Sequence, residues 1–230
     1  MKTIGLIGGM SWESTISYYK MLNETIRDTL GGYHSAKIIL YSVDFDEIER
    51  NQTAQEWDCM GETLANIALT LQNAGAEAIV LCTNTMHKVS SQIEAKITIP
   101  FIHIADATAE AVQRAGIFKV ALLGTKYTMS QDFYKDRLSA QGLQVIVPDL
   151  TDQEFINRVI FEELIQGIIL ESSRKQYLSI INKLSEQGAQ GVILGCTEIG
   201  ILIRSQDTTI RLFDTVEIHA KKAAKFMLEI

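Results

Sequence analysis

Nowhere does this sequence string together the roughly 18–20 apolar residues needed to cross a bilayer, so nothing reads as a membrane span. Basic blocks are missing as well. The 21 Lys and Arg are outnumbered by 28 Asp and Glu, the net charge is −7, and no basic stripe appears. That balance argues against a nucleic-acid partner. It does not exclude an acidic ligand, because the charge of a pocket is local. Cysteine is scarce. Three residues, Cys59, Cys82 and Cys196, are odd in number and widely spaced, which argues against a disulfide framework and a zinc site. The start, Met1-Lys2-Thr3-Ile4, enters a strand pattern at once without the layout of a signal peptide. A cytoplasmic location is therefore expected, with each cysteine a thiol that either fills core or does chemistry.

What is present is alternation. Short apolar runs at Ile4–Ile7, Lys37–Val43, Ala78–Leu81, Phe101–Ile104, Val120–Leu123, Val145–Val147, Val192–Leu194 and Ile210–Phe213 read as buried parallel strands. Amphipathic helical patterns lie between them, such as Glu56–Ala74 ending at Gly75 and Tyr177–Gln187 ending at Gly188. The pattern predicts an α/β fold built from βαβ units.

An internal repeat organises the chain. Leu64–Thr85 lies over Tyr177–Glu198 without a gap: Gly75-Ala76 meets Gly188-Ala189, and Ala78–Leu81 meets Gly191–Leu194. Thr83 then lies over Cys196. Ile4–Gly8 echoes Val120–Gly124, and His103–Asp106 echoes Leu212–Asp214. Two similar lobes are expected, related by a pseudo-twofold. The first spans residues 1–104 and takes back 210–230, and the second spans 105–209. No Gly/Ser- or Pro-rich linker divides them.

In parallel α/β sheets, ligands bind beyond the carboxyl ends of the strands. Both repeat motifs stand where an apolar strand gives way to a polar turn. Two lobes facing each other would bring Thr83 and Cys196 to opposite sides of one ligand in the cleft between them. That is the geometry for removing a proton from one face of a carbon and replacing it on the other. A thiol switches between base and acid near neutral pH. Asn84, Thr85 and Thr197 flank the pair and, with turn amides, are suited to hold a carboxylate and a developing enolate-like charge.

Leu81–His87 (Leu-Cys-Thr-Asn-Thr-Met-His) and Gly195–Ile199 (Gly-Cys-Thr-Glu-Ile) resemble the two active-site motifs of the aspartate/glutamate racemase family. So do Ile7–Ser14 and Leu123–Met129, and the resemblance covers essentially the whole chain. It implies two flavodoxin-like lobes, no cofactor or metal, two-base proton transfer at Cα of aspartate or glutamate, and a homodimer. It also implies that the turn after the first strand lines the pocket with Met10, and that Gln52 contacts substrate. The sequence departs from the family at one place. Thr83 stands where the family has Cys before Asn, an arrangement resembling racemases specific for L-aspartate and L-glutamate and a broad-specificity branch. An alcohol is a far weaker acid than a thiol, so kinetic asymmetry between enantiomers is expected.

Other residues are weighed beside these. Gly5–Gly9 lacks dinucleotide spacing and reads as a tight turn. Thr125 opens the equivalent turn of the second lobe and is a carboxylate donor candidate. Gln52 lies in a polar stretch that otherwise reads as a solvated loop. Arg50 is a candidate carboxylate clamp, and Lys126, Arg174 and Lys175 are sources of positive charge with none favoured. Cys82 is ambiguous between core and cleft. Cys59 reads as helix packing, Glu198 as a charge on a helix N-terminus, His103 as structural and His219 as a surface residue of the last helix. His87 either orients the turn or packs. The alternatives are a broad-specificity racemase, a maleate isomerase or malonate decarboxylase of the same superfamily, and an amino acid-binding protein without turnover.

Overall fold

A computed structural model describes residues 1–229 of the 230. The chain divides into two compact units, residues 1–104 with 219–230 and residues 105–218. Unit 1 holds a parallel sheet of β1 (Ile4–Gly8), β2 (Ile38–Ser42), β3 (Ala78–Leu81) and β4 (Phe101–Ile102), ordered β2-β1-β3-β4. Unit 2 repeats this with β5 (Lys119–Gly124), β6 (Gln144–Ile146), β7 (Gly191–Gly195) and β8 (Arg211–Asp214), ordered β6-β5-β7-β8. The inner strands β1, β3 and β7 are buried along their whole length, whereas the edge strand β2 is half open to solvent. Their unbroken apolar runs follow from being covered on both faces.

Each sheet has its own core. In unit 1, α3 (Trp57–Asn73) lays Met60, Leu64, Ile67, Ala68 and Leu71 on the sheet, spaced as a helical stripe requires. In unit 2, α9 (Glu171–Glu186) does the same with Tyr177, Ile180, Ile181 and Leu184. Truncating such a fully buried side chain to alanine costs about 2–5 kcal/mol. Gly75 and Gly188 close these helices at φ of 100° and 94°, the left-handed geometry of a C-terminal stop. The sequence repeat is thus a repeat of whole β-α-β topology.

One expected boundary is corrected. The sequence places the strand at 210 in the first lobe, but β8 pairs with β7 from Gly191↔Arg211 to Leu194↔Asp214 and belongs to the second sheet. The return to unit 1 comes between Ile218 and His219, inside α11 (Thr215–Leu228). There the chain meets its own start, with the Lys2 amide donating to the Met227 carbonyl at 2.9 Å. No helix among the described residues is long and apolar enough to cross a membrane.

Candidate active site

The ladder between β1 and β3 ends at Ile7↔Leu81, and the loops beyond it carry the candidate residues of unit 1. The Cys82 amide donates to the Ile7 carbonyl at 2.8 Å, and the Ser14 hydroxyl to the Cys82 carbonyl at 3.4 Å. These bonds join the loop after β3 to the turn before α1 (Trp12–Leu30). Gly9 is obligatory in that turn. Its φ is 95°, and a Cβ there would sit 2.3 Å from the Val43 carbonyl oxygen. Ser11 caps α1 by accepting from the Ser14 amide.

Thr83, Asn84 and Thr85 are buried beyond β3. Met10 lies in the turn between β1 and α1, and its side chain joins the apolar cluster with Ile7, Ile48, Leu81 and Met86. Gln52 is not in a loop. It lies on α2 (Phe45–Thr53) and is buried at 8% exposure on an otherwise mostly exposed helix. Cys82 is fully buried, and burial pushes its thiol far above the usual range, which makes it core.

Unit 2 is built alike. Gly124 and Gly195 pair at the ends of β5 and β7. A Cβ at Gly195 would lie 2.8 Å from the Leu123 carbonyl oxygen, so glycine lets the strands close up just before Cys196. Thr125 caps the short helix α6 (Lys126–Ser130) by accepting from the Thr128 amide at 3.4 Å, and its hydroxyl is 3.2 Å from that of Thr128.

Beyond β7 the Cys196 thiol donates to Glu198 Oε2 at 3.0 Å, and the Thr197 hydroxyl donates to the same oxygen. Glu198 is buried, as is Cys196, and Thr197 is partly exposed. Burial first, and then the negative charge of Glu198, hold the Cys196 thiol well above its ordinary range. The contact therefore sets a thiol that holds its proton tightly against the Glu198 side chain. Glu198 stands at the N-terminus of the short helix Ile199–Leu202, as expected, but makes no side-chain capping bond there, and its side chain also meets the thiol. The offset of two from Cys196 was visible in the sequence, but the direction of the side chain was not.

Several other expectations change. Arg50 is exposed and pairs with Asp46 at 3.0 Å. Arg174 donates to the Leu202 carbonyl and to Glu171. Lys126 and Lys175 are exposed. Among the described residues no Lys or Arg is buried, and no group of His, Cys, Asp and Glu is placed to hold a metal ion. Cys59 is exposed rather than packed. His219 is fully buried, not at the surface; it takes the Tyr18 hydroxyl at 2.8 Å on Nδ1 and reaches the Ile102 carbonyl at 2.6 Å through Nε2. His103 is buried.

The sequence pattern of the family described as Asp/Glu/hydantoin racemase matches residues 7–223. The chain belongs to that family. It is an enzyme of the isomerase class, an amino acid racemase. A candidate Asp/Glu racemase from Yersinia pestis has a similar structure at TM-score 0.95 and 56% identity, over 99% of this chain and 100% of that one. An aspartate racemase homologue from Pyrococcus horikoshii follows at TM-score 0.88 and 38% identity, over the same shares. The broad-specificity amino-acid racemase RacX of Bacillus subtilis is 21% identical over 98% of each chain. In this racemase both lobes are α/β with parallel four-stranded sheets. The loops that resemble the family's motifs are those carrying Thr83 and Cys196.

Proposed function

We propose that this racemase interconverts the enantiomers of aspartate and/or glutamate by two-base proton transfer at Cα, without a cofactor. Cys196 serves one face of the carbon and Thr83 the other. The observation that carries the reading is the buried Cys196–Glu198 contact at the carboxyl end of β7. A buried thiol held protonated is a poor base, and a carboxylate 3.0 Å away can relieve it. The thiol proton passes to Glu198, and the thiolate then takes the Cα proton of the L-enantiomer. The electron pair left on carbon spreads into the substrate carboxylate, where hydroxyl, side-chain amide and turn N–H donors would stabilise it. Asn84, Thr85, Thr125, Thr197 and Gln52 are the assigned donors, and Met10 backs the pocket. Thr83 delivers its hydroxyl proton to the opposite face and is reprotonated from solvent, and Glu198 releases the proton it took from the thiol to solvent, which restores both sides. Because an alkoxide is a high-energy species, this half-reaction is the slow one.

The acidic substrate is supported by the aspartate and Asp/Glu names carried by the relatives at 38% and 56% identity. A second reading, broad specificity, is favoured by the absence of a buried Lys or Arg among the described residues, which leaves neutral donors for a side-chain carboxylate. A homodimer is supported by the exposed stripe of Trp12, Ile16 and Tyr19 on α1 and by Leu40 and Tyr41 on the edge strand β2. Free thiols suit a reducing, cytoplasmic setting.

The test is proton NMR of L- and D-aspartate, L- and D-glutamate and L-homoserine in deuterated buffer, with Cys196→Ala as control. Loss of the Cα signal from the acidic pair alone supports the first reading, and loss from homoserine as well supports the second. No exchange from any of them with folded protein overturns both.

A further inference from the structure

We infer that His87 is a positioning residue for Thr83, holding the backbone of the reactive loop by one nitrogen in one tautomer. The inference rests on the assignment of Thr83 as a reacting group. His87 lies in a 3-10 turn, Thr85–Val89, just beyond that loop, and is 2% exposed. Its Nδ1 is 2.7 Å from the Thr83 carbonyl oxygen and its Nε2 is 3.2 Å from the Ile104 amide nitrogen. A carbonyl only accepts and an amide N–H only donates. Nδ1 therefore carries the proton and Nε2 is bare. The ring is also fixed sideways, with the rings of His103, Phe101 and His219 at 4.5, 5.5 and 5.8 Å between centroids.

The place of this bond gives it its function. The β1–β3 ladder stops at Leu81. The Thr83 carbonyl lies beyond it, where no strand is left to fix the peptide plane, and His87 takes over. Holding that plane constrains the backbone from which the Thr83 side chain projects, and with it the set of positions its hydroxyl can reach. A weakly acidic donor depends strongly on alignment with the carbon it protonates. The device is also confined to one half. In the ungapped register that sets Thr83 over Cys196, His87 falls on Gly200, and Asp214 fills the space beside that glycine, its Oδ2 2.5 Å from where a Cβ would be. The thiol side has a carboxylate partner instead.

The test separates the two nitrogens. Asn in place of His can still donate from near the Nδ1 position, and Gln can still accept near Nε2. With L-aspartate and L-homoserine in deuterated buffer, each enzyme is scored by the ratio of D-enantiomer formed to L-enantiomer deuterated at Cα. Deuteration with retention reads the Cys196 side alone; inversion needs Thr83. The ratio is taken within one sample, so a variant that folds poorly still reports. His87→Asn is expected to keep the wild-type ratio, and His87→Gln to lower it about tenfold, with L-side deuteration per folded enzyme retained in both. A wild-type ratio in His87→Gln, or equal damage in His87→Asn, overturns the inference. Thr83→Ala distinguishes the two levels. If it lowers the ratio while His87→Gln does not, only the positioning role fails. If it leaves the ratio unchanged, the assignment of Thr83 fails and the inference falls with it.

Discussion

The two units share a strand order and place their candidate loops after equivalent strands, yet the loops are chemically unlike. After β7 the chain reads Gly195-Cys196-Thr197-Glu198, a thiol with a carboxylate on it. After β3 it reads Cys82-Thr83-Asn84-Thr85, an alcohol with a neutral hydroxyl residue in the place of the carboxylate. The cysteine of the first loop is displaced by one position, and the alternation of a strand end turns it into the core. The halves differ in histidine too. All four, His34, His87, His103 and His219, belong to unit 1. A duplicated scaffold keeps topology because topology is set by many apolar positions at once. Chemistry rests on one or two side chains and diverges freely.

The comparison is broken most directly at the cysteines. Cys196→Ala is expected to cut Cα deuteration of the L-enantiomer by about 10²–10⁴-fold. Cys82→Ala is expected to leave it intact and to lower unfolding free energy by about 1 kcal/mol. NMR exchange and urea titration of both variants would show it, and equal losses of exchange would erase the distinction.

Next in size is Glu198→Gln. Turnover is expected to fall about 100-fold, while alkylation of Cys196 by iodoacetamide at pH 8 speeds up. Removing the carboxylate takes away a charge and a hydrogen bond that hold the thiol proton in place. Peptide mass spectrometry would follow Cys196 beside the exposed Cys59. Turnover and alkylation both unchanged would break the thiol–carboxylate pairing.

The histidine contrast gives a smaller effect, on stability. Burial pulls the pKa of His219 down from 6.5 to about 4. The unfolded chain therefore takes up the proton first as pH falls. The stabilisation is fully present above pH 6.5 and is lost as pH drops toward 4. Between pH 6.5 and 5 it amounts to about 2 kcal/mol. His219→Gln, which can keep a donor toward the Ile102 carbonyl, is expected to flatten that part of the stability curve in denaturant titrations at several pH values.

The smallest effect sharpens the comparison by making the loops alike. Thr83→Cys is expected to raise Cα deuteration of the D-enantiomer about tenfold, measured in the same NMR assay. No gain would deny that the hydroxyl limits that side.

Much of this was legible before any coordinates. Every strand was marked by an apolar run, because inner strands of parallel sheets are covered on both faces. The repeat register set Thr83 over Cys196 from the sequence alone. The errors have definite causes. The strand at 210 carries no local sign of its ladder partner, and only the β7–β8 pairing places it. Glu198 follows a strand by a turn, and a turn decides direction in a way that no periodicity records. His219 was legible and was misread. It lies between Val216 and Ala223 on the buried side of α11, at helical spacing with Met227. The burial of Gln52 was hidden because its polar neighbours Glu49, Arg50 and Asn51 mask the inward positions Ile48 and Gln52, one helical turn apart.

The bond from Lys2 to the Met227 carbonyl has a consequence for how the chain is made. Unit 2 is one continuous stretch, whereas unit 1 is composed of residues from both sides of it. A ribosome delivers residues from the amino end, and domains close when their last contacts arrive. The strands of unit 1 emerge first but wait for His219 and the rest of α11, whose contacts with Tyr18 and Ile102 complete that half. Unit 1 therefore cannot complete its own contacts until the chain has passed through the whole of unit 2 and returned to it.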